Sequence, residues 1–245
     1  MIETDRVGRV LHVWLSRPEC HNALDDGTLS ELAEIYSSAQ TRFDVDVIVL
    51  GGRGRSFSAG ADRKAPPGQS GSSERERRWN AQVGYRACQA IADCEAVTLA
   101  RLHGNVIGGG LAIALACDFR IAADTTRFSL PEVDLGLPLT WGTVPRLISE
   151  VGASRARELT LLCEQISAED ALRIGLVHRS VPSDCLDPTV DEFAARILTK
   201  PEYAVHVTKT QFRTYSRPSG DPTYSDGDLF NVGMCTSNAR ANFSH

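Results

Sequence analysis

An excess of charge of one sign is missing from this sequence: 26 Lys and Arg stand against 31 Asp and Glu, a formal net charge of −5. No global field would draw in nucleic acid or an anionic membrane, so any anionic ligand must be met by local positive groups. The seven cysteines are scattered with no C-x-x-C pair, which removes zinc-ribbon and dithiol redox spacings and suits a reducing compartment. Long apolar runs are also missing. Val106–Cys117 is too short to span a bilayer, and Met1–Arg9 lacks the apolar stretch of a signal peptide, so a cytoplasmic location without membrane partners is expected. Gly51–Phe57 lacks the Gly-Lys-Ser/Thr ending of a phosphate-binding loop. Gly104–Gly110 lacks dinucleotide spacing, and no G-x-S-x-G surrounds Ser56 or Ser58. Nucleotide hydrolysis, hydride transfer and serine hydrolysis are therefore unsupported.

What is present is a chain of 245 residues, 42% hydrophobic, long enough for one large domain with a small appendage. Val10–Leu15 reads as a strand closed by Ser16-Arg17-Pro18, and Asp25–Ala39 as a helix with Leu29, Leu32, Ala33 and Tyr36 at helical spacing. Val45–Leu50 is a strand running into a glycine loop, and Arg63–Arg78 a polar, Pro/Gly-rich loop leading into a helix. The pattern recurs: strand Val97–Leu102, glycine loop His103–Gly110, helix Leu111–Cys117, then strands Asp118–Ala123 and Arg127–Leu130. Recurrence of this kind without a strict period suggests stacked supersecondary turns. From about Ala153 the reading is helical: Ser154–Leu162, Ser167–Ile174 and Asp187–Thr199.

Two glycine loops carry chemical potential. Gly108-Gly109-Gly110 stands before an uncharged helix, whose first N–H groups have no internal partners, and Ala61 follows Gly60 on a separate loop. Two backbone amides converging on one point would make an oxyanion hole; glycines used only for tight turns or close packing would look the same separately.

The residues around these loops carry a resemblance. The segments are Ser16–Leu24 (SRPECHNAL), Phe57–Asp62 (FSAGAD), Gly108–Gly110, Ala116–Ala122, Pro131–Leu137 (PEVDLGL), Ser167–Ala171 and Gly175–Val177. In this order they are similar to the enoyl-CoA hydratase/isomerase (crotonase) superfamily over about Val10–Val181. The resemblance implies an α/β fold with a spiral of ββα turns over residues 1–182. It also implies a helical C-terminal region, 183–245, that builds a homotrimer or homohexamer. It assigns an acyl-CoA or enoyl-CoA substrate, with CoA part of the substrate and no separate cofactor or metal. The N–H groups of Ala61 and Gly109 would polarise the thioester carbonyl, and Glu132 would be the catalytic acid/base. CoA contacts are expected from Arg17, His21, Ala23, Ala59, Ala61, Asp62, Arg63 and Gly109, with Lys64 a further basic candidate.

The sequence departs from the family at two informative places. Hydratases of the family use two glutamates, and the first belongs where this chain has Ala112. An alanine cannot hold or deprotonate water, which points away from hydration and toward a single carboxylate shuttling a proton, or toward a catalytically silent acyl-CoA binding protein. Trp141-Gly142 replaces a small glycine pair and would narrow the acyl pocket. His103 and Asp118 read as packing or structural residues, and Asp134 as a neighbour of Glu132.

Overall fold

The computed structural model describes residues 1–216 and residue 234; much of the segment expected to mediate trimerisation lies outside the described residues. Its strands and helices realise the α/β spiral. The edge strand β1 (Ile2–Val7) pairs antiparallel with β2 (Val10–Leu15) through a tight turn at Gly8. From β2 the ladder is parallel, in the order β2, β3 (Val47–Gly52), β4 (Val97–Leu102), β6 (Phe119–Ala123), β9 (Arg179–Val181). Both faces of β3 are buried, as its unbroken VIVLGG run requires. A second, shorter ladder forms from β5 (Asn105–Ile107), β7 (Arg127–Ser129) and β8 (Ile166–Ser167). It is extended by single parallel bridges Ser58↔Val106 and Leu24↔Ala61. Each turn of the spiral thus adds one strand to the long ladder, one short pairing to the second and a helix across them.

The helices follow local chemistry. α1 (Asp26–Ala39) is capped by Asp25, whose side chain accepts the Thr28 N–H at 2.8 Å. The polar loop after Asp62 ends in a capping box, Ser73 with Glu76, that starts α2 (Glu74–Asn80), and α3 (Val83–Asp93) follows. α4 spans Gly109–Leu115 and is buried from Gly110 onward. α5 (Thr143–Leu161) starts eleven residues before the helix expected at Ser154, and Gly152 at φ +76° interrupts it. α6 (Ala168–Arg173) is capped by Ser167.

The core lies between the sheet and α1, α3 and α4, with Leu29, Leu32, Tyr36, Ile91, Leu111 and Ile113 at its centre. On the other face of the sheet, Leu186, Val190 and Ala194 of α7 (Leu186–Leu198) pack against Val47, Val49, Val97, Leu99 and Ile121. The expected division at residues 182 and 183 therefore falls just before a helix seated on the central sheet. α8 (Glu202–Ser216) is tied to the core through Lys209, which donates to Asp118 Oδ2 and to the Ala96 carbonyl, both at 2.6 Å. Asp118 also accepts from the Thr98 N–H at 2.7 Å and hydroxyl at 2.9 Å, a structural clamp. No helix among the described residues is long and apolar enough to cross a membrane.

Candidate active site

The site begins at Asn22, a buried residue with positive φ that sequence reasoning left within a motif without a role. Its Oδ1 accepts the Arg17 N–H at 2.8 Å, and its Nδ2 donates to the carbonyls of Arg53 (2.9 Å) and Ser56 (2.8 Å). The loops after β2 and β3 are thereby fastened to each other. Ser58 continues the fastening: its hydroxyl donates to the Asn22 carbonyl at 2.8 Å and accepts the Gly60 N–H at 3.1 Å.

These bonds set the direction of the next amide. In the bridge between Leu24 and Ala61, Leu24 donates to the Gly60 carbonyl and accepts from the Asp62 N–H, each at 2.8 Å. In such a parallel bridge the intervening residue turns its own N–H and C=O to the opposite side. The Ala61 N–H accordingly has no hydrogen-bond partner among the described residues. The Gly109 N–H, at the first position of α4, has none either. The two loops meet here, since a β-carbon built on Gly60 would lie 3.4 Å from the Gly109 nitrogen. Gly60 itself stands at φ +87° against the Ile107 carbonyl, a position only glycine fills without strain.

Glu132 enters from the turn after β7. Its carbonyl accepts the N–H groups of Leu135 (3.1 Å) and Leu137 (2.9 Å), which fixes the turn. Its carboxyl lies over Gly108, whose added β-carbon would be 2.6 Å from Oε1. The residue keeps some surface, yet Oε2 is sealed and has no hydrogen-bond partner among the described residues. Burial pushes the carboxyl pKa up to about 7, against only a weak opposing contribution from its own backbone. Such a carboxyl can hold or release a proton near neutral pH, and two unpaired amides can receive a negatively charged oxygen.

Ala112 belongs to the same face. It stands one turn beyond Gly108, its N–H donating to the Gly108 carbonyl at 3.0 Å, and it is buried. The position where the resemblance expects a first glutamate holds a methyl group.

Trp141 closes the site from the other side. β-Carbons built on Gly109 and Gly84 would lie 2.4 Å and 2.0 Å from its ring atoms, so the indole fits between α4 and α3 only because both residues are glycine. The backbone beneath it has an unusual shape: Trp141 (φ +60°) and Gly142 (φ +68°) are both left-handed, with the Thr143 N–H donating to the Thr140 carbonyl at 3.1 Å. Such a turn favours Asn or Gly at its first central position, and a tryptophan there costs roughly 1–2 kcal/mol. Arg146 holds the turn, donating to the Trp141 and Gly142 carbonyls at 3.0 Å and to Gln89 Oε1 of α3 at 3.2 Å.

Several of the residues expected to contact CoA are linked to one another around Arg17 and His21. Arg17 is partly buried, donating to the Ala23 carbonyl at 2.7 Å and pairing with Asp25 at 3.0 Å and Asp62 at 2.9 Å. Its charge is already balanced by two carboxylates. Burial alone would push the Asp62 carboxyl up, but the Lys64 N–H, the Arg17 guanidinium and the Ala65 N–H together hold it below its ordinary value. His21 and Ala59 are exposed and adjacent, the Ala59 N–H donating to the His21 carbonyl at 2.9 Å; Arg63 and Lys64 are exposed beside them. Asp134 is exposed. His103 lies 3.0 Å from the Gly54 carbonyl through Nε2 and 3.0 Å from Arg101 through Nδ1, a packing role.

Two glycine-led amides and a buried carboxyl on a ββα spiral are groups with which a site can stabilise a developing oxyanion and move a proton. A family profile described as Enoyl-CoA hydratase/isomerase matches residues 5–242, and the chain belongs to that family. It is 34% identical to a crotonyl-CoA hydratase of Syntrophomonas wolfei over 225 residues, covering 91% of this chain and 85% of the relative. It is also 34% identical to a peroxisomal Δ(3,5)-Δ(2,4)-dienoyl-CoA isomerase of Arabidopsis thaliana, over 82% of this chain and 76% of that one. Among solved structures, an enoyl-CoA hydratase from Mycobacterium avium subsp. paratuberculosis K-10 superposes with a TM-score of 0.90 at 27% identity, over 100% of this chain and 98% of that one.

Proposed function

We propose that this chain is an enzyme that moves a proton on the acyl group of a CoA thioester, a double-bond isomerase working with one carboxylate. The carrying observation is the buried, unpartnered Oε2 of Glu132 beside the unpaired N–H groups of Gly109 and Ala61. Glu132 takes a proton from the carbon next to the thioester carbonyl. The electron pair moves onto the carbonyl oxygen, where the two N–H groups receive the charge, each worth roughly 2.7–4 kcal/mol in the transition state. In a 3-enoyl thioester the negative charge spreads to the γ-carbon, and Glu132 returns the proton there, shifting the double bond with no net redox change. CoA itself is carried by the mouth formed from His21, Ala23, Ala59, Asp62 and Arg63, with Arg17 fixing that mouth through Asp25 and Asp62.

One observation favours a second reading, a silent acyl-CoA binding protein: Ala112 supplies no partner carboxylate on the face shared with Gly108 and Gly109. Exchange of the α-proton of butyryl-CoA in deuterated water separates the two. The isomerase reading expects exchange in the native protein and a loss of 10²-fold or more in Glu132→Gln, with thioester-dependent thermal stabilisation retained in both. Stabilisation without exchange identifies a binding protein. Assembly as a trimer or hexamer is part of the proposal, supported by the exposed apolar side chains of Val144, Ile148, Leu161, Leu162 and Leu172 on α5, its end and α6. Light scattering that gives a monomer at micromolar concentration rejects it.

A further inference from the structure

We infer that Trp141 sets the acyl-chain length this protein accepts, restricting it to short CoA thioesters of about four carbons; the inference rests on the acyl-CoA reading above. Three separate sequence choices meet at one point. Gly84 near the start of α3 and Gly109 at the start of α4 each leave out the side chain that would collide with the indole, and Trp141 occupies a left-handed position that suits almost any small polar residue better. A backbone held in a costly conformation by Arg146, which ties it to the Trp141 and Gly142 carbonyls and to Gln89, is a built feature and not slack in a loop. The side chain it delivers is itself 9% exposed, and its six-membered ring lies against the α-carbon whose N–H is the unpaired donor. An acyl chain that runs from a carbonyl seated on the Gly109 N–H toward α3 meets the indole, which fills the gap between Gly109 and Gly84. Such a chain is stopped within its first few carbons.

The test is calorimetric binding of acetyl-, butyryl- and octanoyl-CoA, with free CoA as control, to the full-length native protein and to Trp141→Ala and Trp141→Leu. The native protein is expected to bind butyryl-CoA at least tenfold tighter than octanoyl-CoA. Trp141→Ala should gain tenfold or more for octanoyl-CoA while losing a few-fold for butyryl-CoA, and Trp141→Leu should fall between. A tryptophan with only a packing role would weaken all thioesters in parallel, and that result overturns the inference, as does equal binding of the short and long thioesters by the native protein. Circular dichroism identifies variants that do not fold; Trp141→Leu and the native chain-length profile then decide. Binding of no thioester above free CoA removes the acyl-CoA reading itself, a different outcome from binding without length preference.

Discussion

Glu132 and Gly108 are in contact through a missing side chain: a β-carbon on Gly108 would stand 2.6 Å from Glu132 Oε1. Gly108 also has φ +50° and donates its N–H to the Ser129 carbonyl at 2.9 Å, so its backbone is fixed as well as bare. The glycine triplet therefore does two jobs. Gly108 admits the carboxyl, and Gly109 offers the amide beside it.

A buried carboxyl with a raised pKa makes the fold less stable as pH rises. The folded protein keeps the proton up to about pH 7, whereas the unfolded chain releases it near 4.5. Stability from this group is fully present below the unfolded value and falls between there and about 7, by roughly 3 kcal/mol in total. Glu132→Gln keeps the shape without the charge. It should unfold at a higher denaturant concentration than the native protein at pH 8, with the difference shrinking to nothing by about pH 4.5. Denaturation curves at several pH values measure this directly; a pH-independent difference would mean that Glu132 is not the dry carboxyl described. In the native enzyme kcat/KM should rise with pH through about 7 as the base form appears.

The indole slot makes a prediction about coupling. Gly109→Ala and Gly84→Ala each place a methyl group into Trp141, and each should cost about 1–3 kcal/mol by overpacking. In a Trp141→Ala background the same changes should cost much less, giving a coupling energy well outside additivity. Urea unfolding of the single and double variants supplies the cycle. Additive costs would show that the glycines serve only their own backbones.

Much of this was readable before the fold was known, for physical reasons. Val10–Leu15 and Val97–Leu102 are apolar runs closed by turn residues, and both are strands over those residues. Asp25 announces α1 because it caps it. Val45–Leu50 came close, the strand lying two residues later at Val47–Gly52, since a glycine pair looks like a turn even where it pairs with Trp14 and Leu15 of β2 and the Trp14 ring packs over Gly51. The first half of α5 was hidden by Pro145 and Gly152, and β1 by its charged IETDRV pattern, which suits a sheet edge exposed on both sides. The short β5, inside a glycine loop, gains its pairing only from the second ladder. At the site, Ala61, Gly109 and Glu132 could be named from motifs. The slot formed by Gly84 could not, because its partner lies 57 residues away and only packing joins them.

Arg120 shows how strongly the chain defends the frame beneath the site. It is fully buried, donating to the carbonyls of Leu176 (2.7 Å) and Cys117 (2.9 Å) and pairing with Glu150 of α5. Removing it leaves two buried carbonyls and one carboxylate without their donor. Arg120→Ala should lose about 3–5 kcal/mol of stability. Glu150→Gln, which keeps an acceptor at the protein surface, should lose clearly less. Equal losses in thermal unfolding would show that the ion pair, and not the buried carbonyl bonds, carries the stabilisation.

Ala112 offers the converse experiment, adding a group in place of removing one. It stands one helical turn beyond Gly108, its N–H donating to the Gly108 carbonyl at 3.0 Å, so a glutamate there would start from the same turn that carries the Gly109 amide. Two carboxylates can hold a water between them and divide base and acid roles, which one cannot. Ala112→Glu should therefore add water to crotonyl-CoA where the native protein does not, read as loss of the enoyl absorbance with formation of the 3-hydroxy thioester. The new carboxyl enters a position that is 2% exposed, so the melting temperature should drop, and the drop should be greater at pH 8 than at pH 5 because burial penalises the charged form. Ala112→Gln separates shape from chemistry, since it fills the same volume and cannot act as a base. A folded Ala112→Glu protein that binds crotonyl-CoA yet adds no water would show that the face shared by Gly108, Gly109 and Ala112 does not present its side chains to the thioester, and the placement of the proton-transfer site beside Glu132 would fall with it.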